Sequence, residues 1–165
     1  QSTFETMKLH LILSDPAIVL KKELLRIPIW GAYVRQSGMS PIERGSRGKA
    51  MGDMRVASEK AKAEGRPIVI FPQGTRVPAG TKRHYKTGVV ALYQQLGLPI
   101  VPLALNSGLF WPKTGMKHGG TVTFSFLAPI EPGMEPDSAL LLLEERLESE
   151  TNRLVAAQMR EFAHS

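Results

Sequence analysis

The sequence predicts an α/β layered domain, and three observations carry that expectation. Short apolar runs rich in β-branched residues, at 17–20, 68–71 and 100–105, alternate with segments of helical period. Gly and Pro fall between these segments, where turns are needed. The chain has 165 residues, of which 42% are hydrophobic and 22% charged. That is one domain's length, with enough apolar surface to bury a core and too much for a disordered chain.

The elements follow in order. Residues 3–13 read as a helix ended by Ser14-Asp15-Pro16, and residues 17–20 as a short buried strand. Residues 22–37 have the pattern of an amphipathic helix closed by Gly38, with Pro28 kinking or splitting it. Residues 40–44 form a short strand running to a charged tip. Ser46 can cap a helix that runs to about Glu64 and stops at Gly65. Residues 68–71 are the clearest buried strand, and residues 87–96 a helix with Gly97 as its stop. Residues 100–105 and 121–126 read as strands, the former carrying Pro102 and therefore at an edge or strand end. Residues 138–162 form the longest helix, with Leu140, Leu143, Leu147, Leu154 and Phe162 as its apolar stripe.

Composition excludes several classes. With no cysteine there is no disulfide framework, no zinc–cysteine site and no cysteine nucleophile. No apolar run approaches the ~18 residues that span a bilayer. The net charge of +6 is unevenly placed. Residues 66–130 hold seven Lys or Arg and no acid, whereas residues 131–165 hold eight acids and three bases. An acid-free stretch of that length focuses anions, with phosphates, lipid headgroups and nucleic acid as candidates. Nucleic acid is the weakest, since no recognised motif is present and aromatics for base stacking are few.

The chemistry concentrates in Phe71-Pro72-Gln73-Gly74-Thr75-Arg76. It follows a strand, and ligands of α/β sheets bind beyond strand carboxyl ends. Gly74 allows a tight turn, Thr75 offers a hydroxyl, and Arg76 a bidentate fork suited to phosphate. Lys82, Arg83, His84 and Lys86 follow, with Lys86 where a helix begins, so its ammonium and the helix amides can share an anion.

These words resemble a known family. FPQGTR resembles the FPEGTR block of the glycerolipid acyltransferases. Gly38-Met39-Ser40-Pro41-Ile42-Glu43-Arg44 resembles that family's second block, Tyr85-Lys86-Thr87-Gly88 the lysine-glycine segment after the third, and Leu98-Pro99-Ile100-Val101-Pro102-Leu103-Ala104 the proline-rich fourth. Four blocks stand in order at family-like spacing, and the resemblance runs from Gln1 to about Ile130. The family's first block is a His, four residues and an acid. Glu5 matches the acid, and the His is expected just before Gln1. On that reading residues 1–165 are a single acyltransferase domain truncated at its N-terminus, inactive as it stands. His10, His84, His118 and His164 are surface or packing residues on this reading, and none takes the catalytic role.

The resemblance implies a glycerol-3-phosphate acyltransferase-like fold and acyl transfer from acyl-CoA or acyl carrier protein to the free hydroxyl of 1-acyl-glycerol 3-phosphate, forming phosphatidic acid. The His would be the general base and Glu5 its orienting acid, with no acyl-enzyme, no metal and no cofactor beyond the thioester co-substrate. A five-residue offset turns about 140° on a helix, so the His would lie just before a helix with Glu5 in its first turn. Arg44, Gln73, Gly74, Thr75 and Arg76 would bind the acceptor, the arginines on its phosphate, and Lys86 joins them on charge and spacing. Trp30, Phe110 and Trp111 would line a tunnel, sit at a membrane interface or be core. Two departures stand out: Glu5 replaces the usual Asp, a small change, and Gln73 replaces the usual Glu, removing a negative charge. The expected partners are a lysophospholipid, the acyl donor and a membrane surface, at the cytoplasmic face of a bacterial inner membrane, peripheral or anchored by an upstream segment. The alternatives are the same chemistry on another lysolipid, such as a lyso-ornithine lipid, and a non-catalytic anionic-lipid-binding module.

Overall fold

Turn chemistry sets the first element. Helix α1 (Phe4–Ile12) carries Glu5 in its first turn, and the Ser14-Asp15-Pro16 bend ends it. Asp15 takes a positive φ there, and its carboxylate lies 2.9 Å from Arg66 Nε, which ties the bend to the segment entering a later strand. The structure, a computed structural model, describes residues 4–21, 40–42, 47–78, 81 and 83–164. The helix expected at 22–37 with its Pro28 kink, the Ser46 cap, Trp30 and most of the second block, Arg44 included, lie outside the described residues.

Two compact units make up the chain, and the division falls within α1: residues 8–71 form one, residues 1–7 and 72–165 the other. The first unit holds a parallel sheet in the order β2 (Ser40–Ile42), β1 (Ala17–Lys21), β3 (Ile68–Val69). Val19 pairs with Ser40 and Ala17 with Ile68. The centre strand β1 is buried at Ala17, Ile18 and Leu20, as its continuous apolar run requires. Helix α2 (Arg47–Ala63) returns the chain between β2 and β3 and buries Met54, Ser58 and Ala61. The strand read most confidently from its apolar run, 68–71, is shorter than expected and only half-buried, because it pairs for two residues at the sheet edge.

The second unit packs two helices on an antiparallel ribbon. Helix α3 (Gly88–Leu96) buries Val89, Val90, Leu92, Tyr93 and Leu96 and ends at Gly97, whose N–H bonds Tyr93 O. The ribbon pairs β4 (Leu103–Leu105) with β5 (Phe124–Phe126), Ala104 opposite Ser125. The strands expected at 100–105 and 121–126 thus contract to three residues each; Ile100 joins only through an isolated bridge to Ile130. A four-residue helix, α4 (Ser107–Phe110), has no counterpart in the sequence reading, being too short for periodicity to reveal. Helix α5 (Pro136–His164) contacts both α3 and β4. Its buried stripe is Ala139, Leu143, Leu147 and Leu154; Leu140 is half-exposed and Phe162 45% exposed, so the stripe lies one residue off the expected one at its start.

Polar ties fix α5 to the ribbon. Ser125 donates to Glu150 at 2.7 Å, Arg153 holds the same carboxylate through two 2.7 Å bonds, and Arg146 donates to Ala128 O at 2.7 Å. The Arg153 bonds, then that of Ser125, hold the Glu150 carboxyl down to about 2 from an ordinary value near 4.5. A depressed carboxylate stabilises the fold above its unfolded value and loses that contribution as pH falls towards the folded one. Arg153→Ala should therefore move the acid-unfolding midpoint of the complete protein upward in pH, within the window between about 2 and 4.5. Circular dichroism against pH reads it, and an unmoved midpoint refutes it. The shift will be small, since Arg153 is largely exposed.

Gly120 meets a second constraint. Any Cβ there would overlap the ring of Phe110, which is buried and stands edge-on to Phe162 with centroids 5.9 Å apart. Gly120→Ala must displace that ring, an overpacking cost of about 1–3 kcal/mol. Thermal denaturation should show a drop of several degrees, and a variant melting with the wild type contradicts the packing described.

Candidate active site

Every described residue in the candidate site belongs to the second unit. Glu5, in the first turn of α1, is 1% exposed. Its Oε2 accepts a 2.8 Å hydrogen bond from the hydroxyl of Ser107, itself fully buried at the start of α4. A buried carboxylate needs such a donor, and the positive end of α1 adds to its support. The neighbouring Phe4 packs on Trp111, centroids 6.0 Å apart, and on Phe124 at 6.5 Å. Asn106, the residue before Ser107, accepts from Thr123 N–H at 2.8 Å, which binds the α4 entry to the segment leading into β5. Ser107 and Asn106 were missed in the sequence, where an Asn-Ser pair after a strand signals only a helix start.

The Gln73–Arg76 turn takes the form its residues dictate. Gly74 has φ 65°, the left-handed conformation that only glycine adopts freely. Thr75 is half-buried, while Arg76 is exposed and makes no ion pair among the described residues. The backbone N–H of Lys86 donates to Pro72 O at 2.8 Å. This bond sets Lys86 beside the entry to the turn, its side chain exposed. Helix α3 starts at Gly88, two residues past Lys86, and the Thr87 side chain does not cap it. Arg76, Arg83 and Lys86 are thus exposed to solvent on a short stretch of chain.

Gln73 faces the opposite way. It is buried, and its Nε2 makes a long 3.5 Å contact to Oε1 of Glu148 on α5. The same oxygen accepts a 2.8 Å bond from the Tyr85 hydroxyl. Burial, then the hydrogen bond and charge of Glu148, push the Tyr85 phenol well above its ordinary value, so it stays a donor. Gln73 Oε1 is buried without a hydrogen-bond donor among the described residues. Gln73, Asn106, Glu148 and Thr151 border a small pocket of about 20 Å³.

The remaining sequence candidates sort simply. Phe110 is core, whereas Trp111 is half-buried with Lys117 Nζ 3.8 Å above its ring. His84 and His118 are exposed and His10 is half-buried. Among the described residues no His, Asp or Glu group converges as metal ligands would, and no helix is long and apolar enough to cross a membrane.

Known proteins resemble this chain. A 1-acyl-sn-glycerol-3-phosphate acyltransferase of Pseudomonas aeruginosa is 31% identical over 157 residues, 94% of this chain and 61% of the relative. That of Escherichia coli K12 is 28% identical over 132 residues, 79% of this chain and 54% of the relative. The crystal structure of the 1-acyl-sn-glycerophosphate acyltransferase of Thermotoga maritima superposes with a TM-score of 0.66 at 23% identity, covering 85% of this chain and 57% of that one. At that identity the likeness concerns the fold, and it agrees with the α/β class expected. The match spans a little over half the length of each of these three proteins. The model of the Acyltransferase family matches residues 1–106, a span that holds Glu5, the Gln73–Arg76 turn, Lys86 and the β4 strand. That match covers more than half of the chain, and the chain belongs to the Acyltransferase family.

Proposed function

We propose that the protein containing this chain transfers an acyl group from acyl-CoA or acyl carrier protein to the free hydroxyl of 1-acyl-glycerol 3-phosphate, forming phosphatidic acid for phospholipid synthesis. The observation that carries this reading is the P. aeruginosa relative of that name, similar over nearly the whole chain. The site supports it chemically. A buried carboxylate, Glu5, is held by Ser107, as an acid that orients a general base should be. The family resemblance makes that base a histidine. It takes the acceptor hydroxyl's proton, the hydroxyl oxygen attacks the thioester carbonyl carbon, the C–S bond breaks, and the proton leaves on the thiol. Arg76 and Arg44 neutralise the acceptor's phosphate, with Gly74, Thr75 and Lys86 around it. The reaction needs no metal and no cofactor beyond the thioester. The acceptor resides in the membrane, so the protein works at a membrane surface, the cytoplasmic face of a bacterial inner membrane.

Thiol release and phosphatidic acid formation, followed with oleoyl thioesters of both carriers and 1-oleoyl-glycerol 3-phosphate, test the reading. Absence of both products with every donor overturns it. Gln73 in place of Glu favours a second reading, the same reaction on a lysolipid of other headgroup, such as a lyso-ornithine lipid. A panel of acceptors decides between them by kcat/KM. Binding to anionic vesicles without turnover would instead identify a lipid-binding module.

A further inference from the structure

We propose that Glu148, on the C-terminal helix, is a positioning residue of the acceptor site, and that it is the reason residue 73 is an amide. The inference rests on the acyltransferase reading above. Three elements meet at this carboxylate. Gln73 opens the turn that presents Thr75 and Arg76, Tyr85 precedes Lys86, and Glu148 projects from α5; its Oε1 accepts from both. Lys86 N–H donates to Pro72 O alongside, from the backbone. The side-chain clamp and the backbone bond thus tie Pro72 and Gln73 to Tyr85 and Lys86, beside the exposed Arg76, Arg83 and Lys86. The clamp needs one amide donor and one negative charge facing each other at residues 73 and 148. A carboxylate at 73 would put an oxygen where Nε2 now sits, 3.5 Å from Glu148 Oε1, and two partly buried negative charges at that distance repel. The charge found in the third block of the resembling family thus stands here on α5, outside residues 1–106 that match the family model.

The test is a charge exchange in the complete protein. Gln73→Glu should raise KM for 1-oleoyl-glycerol 3-phosphate at least tenfold while kcat changes less than threefold. Adding Glu148→Gln, which moves the single negative charge to residue 73 and leaves an amide opposite, should bring KM back within threefold of wild type. A merely structural role predicts instead that the double variant is no better than the worse single one, and that result overturns the proposal. So does a Gln73→Glu variant with an unchanged KM. The melting temperatures of the four proteins give a readout independent of turnover: the double variant should melt well above the sum of the two single losses. If wild type transfers no acyl group, the functional reading has failed. The melting cycle then decides the clamp alone, with coupling supporting it and additivity overturning it.

Discussion

Glu5→Gln in the complete protein should lower kcat for acyl transfer on the order of 10³–10⁴-fold and leave KM within about threefold; an amide for the acid in a Ser-His-Asp triad costs about 10⁴. Glu5 is 1% exposed and bonded by the fully buried Ser107. Glutamine has nearly the same shape and keeps an oxygen to accept that bond, so the fold should tolerate it. What disappears is the negative charge that stabilises an imidazolium and the acceptor that selects the imidazole tautomer. Loss of an interaction made only as the base takes its proton appears in kcat rather than KM. Glu5→Asp, the residue usual in the resembling family, should keep activity within tenfold, since only one methylene is removed. Thiol release under saturating acceptor reads both variants, with melting temperature as the check on folding. A glutamine variant retaining a tenth of the wild-type rate removes Glu5 from the mechanism.

What the sequence discloses about such a site follows the reach of each interaction. The Gln73–Arg76 turn was legible because its requirements are local: Gly74 adopts φ 65°, and Arg76 stays exposed. Helices α1, α3 and α5 were legible because their apolar period and their stop signals lie within the element. The strands expected at 68–71, 100–105 and 121–126 were overlong because pairing, not β-propensity, ends them; Ile68–Val69 pairs only with Ala17 and Ile18, although β1 runs on to Lys21. Ser107 was invisible for the same reason in stronger form. Its role comes from a carboxylate 102 residues away in sequence, and nothing nearby marks it. Glu148 reads in sequence as one more acid on a solvated helix face. The charge profile misled in the same way: residues 66–130 contain no acid, yet in the fold Glu148 reaches Tyr85 and Glu150 reaches Ser125. Of the described cations in that stretch, Arg66 is tied to Asp15, whereas Arg76, Arg83, Lys86, Lys113 and Lys117 stay exposed.

Its place in the Gln73–Arg76 turn makes Arg76 the cation whose removal should cost most in acceptor binding. Among the described residues it has no carboxylate partner to release, so its guanidinium meets a phosphate without first breaking an ion pair. A charge-assisted contact of this kind is worth about 1.5–3 kcal/mol, which corresponds to a KM for lysophosphatidate raised roughly 10- to 150-fold in Arg76→Ala. The phosphate lies away from the reacting hydroxyl and is bound alike before and during the reaction, so kcat should change only a few-fold. Arg76→Lys should fall between, since it restores the charge without the planar fork. Because Arg76 is exposed, the effect should shrink as salt rises towards 1 M, where the screening length falls to about 3 Å. The deciding comparison is an acceptor with no phosphate. With a neutral monoacylglycerol, wild type and Arg76→Ala should have the same KM. If the alanine variant weakens both acceptors equally, Arg76 supports the turn rather than the phosphate. If it weakens neither, the phosphate is held elsewhere, and Lys86→Ala becomes the variant expected to raise KM for lysophosphatidate.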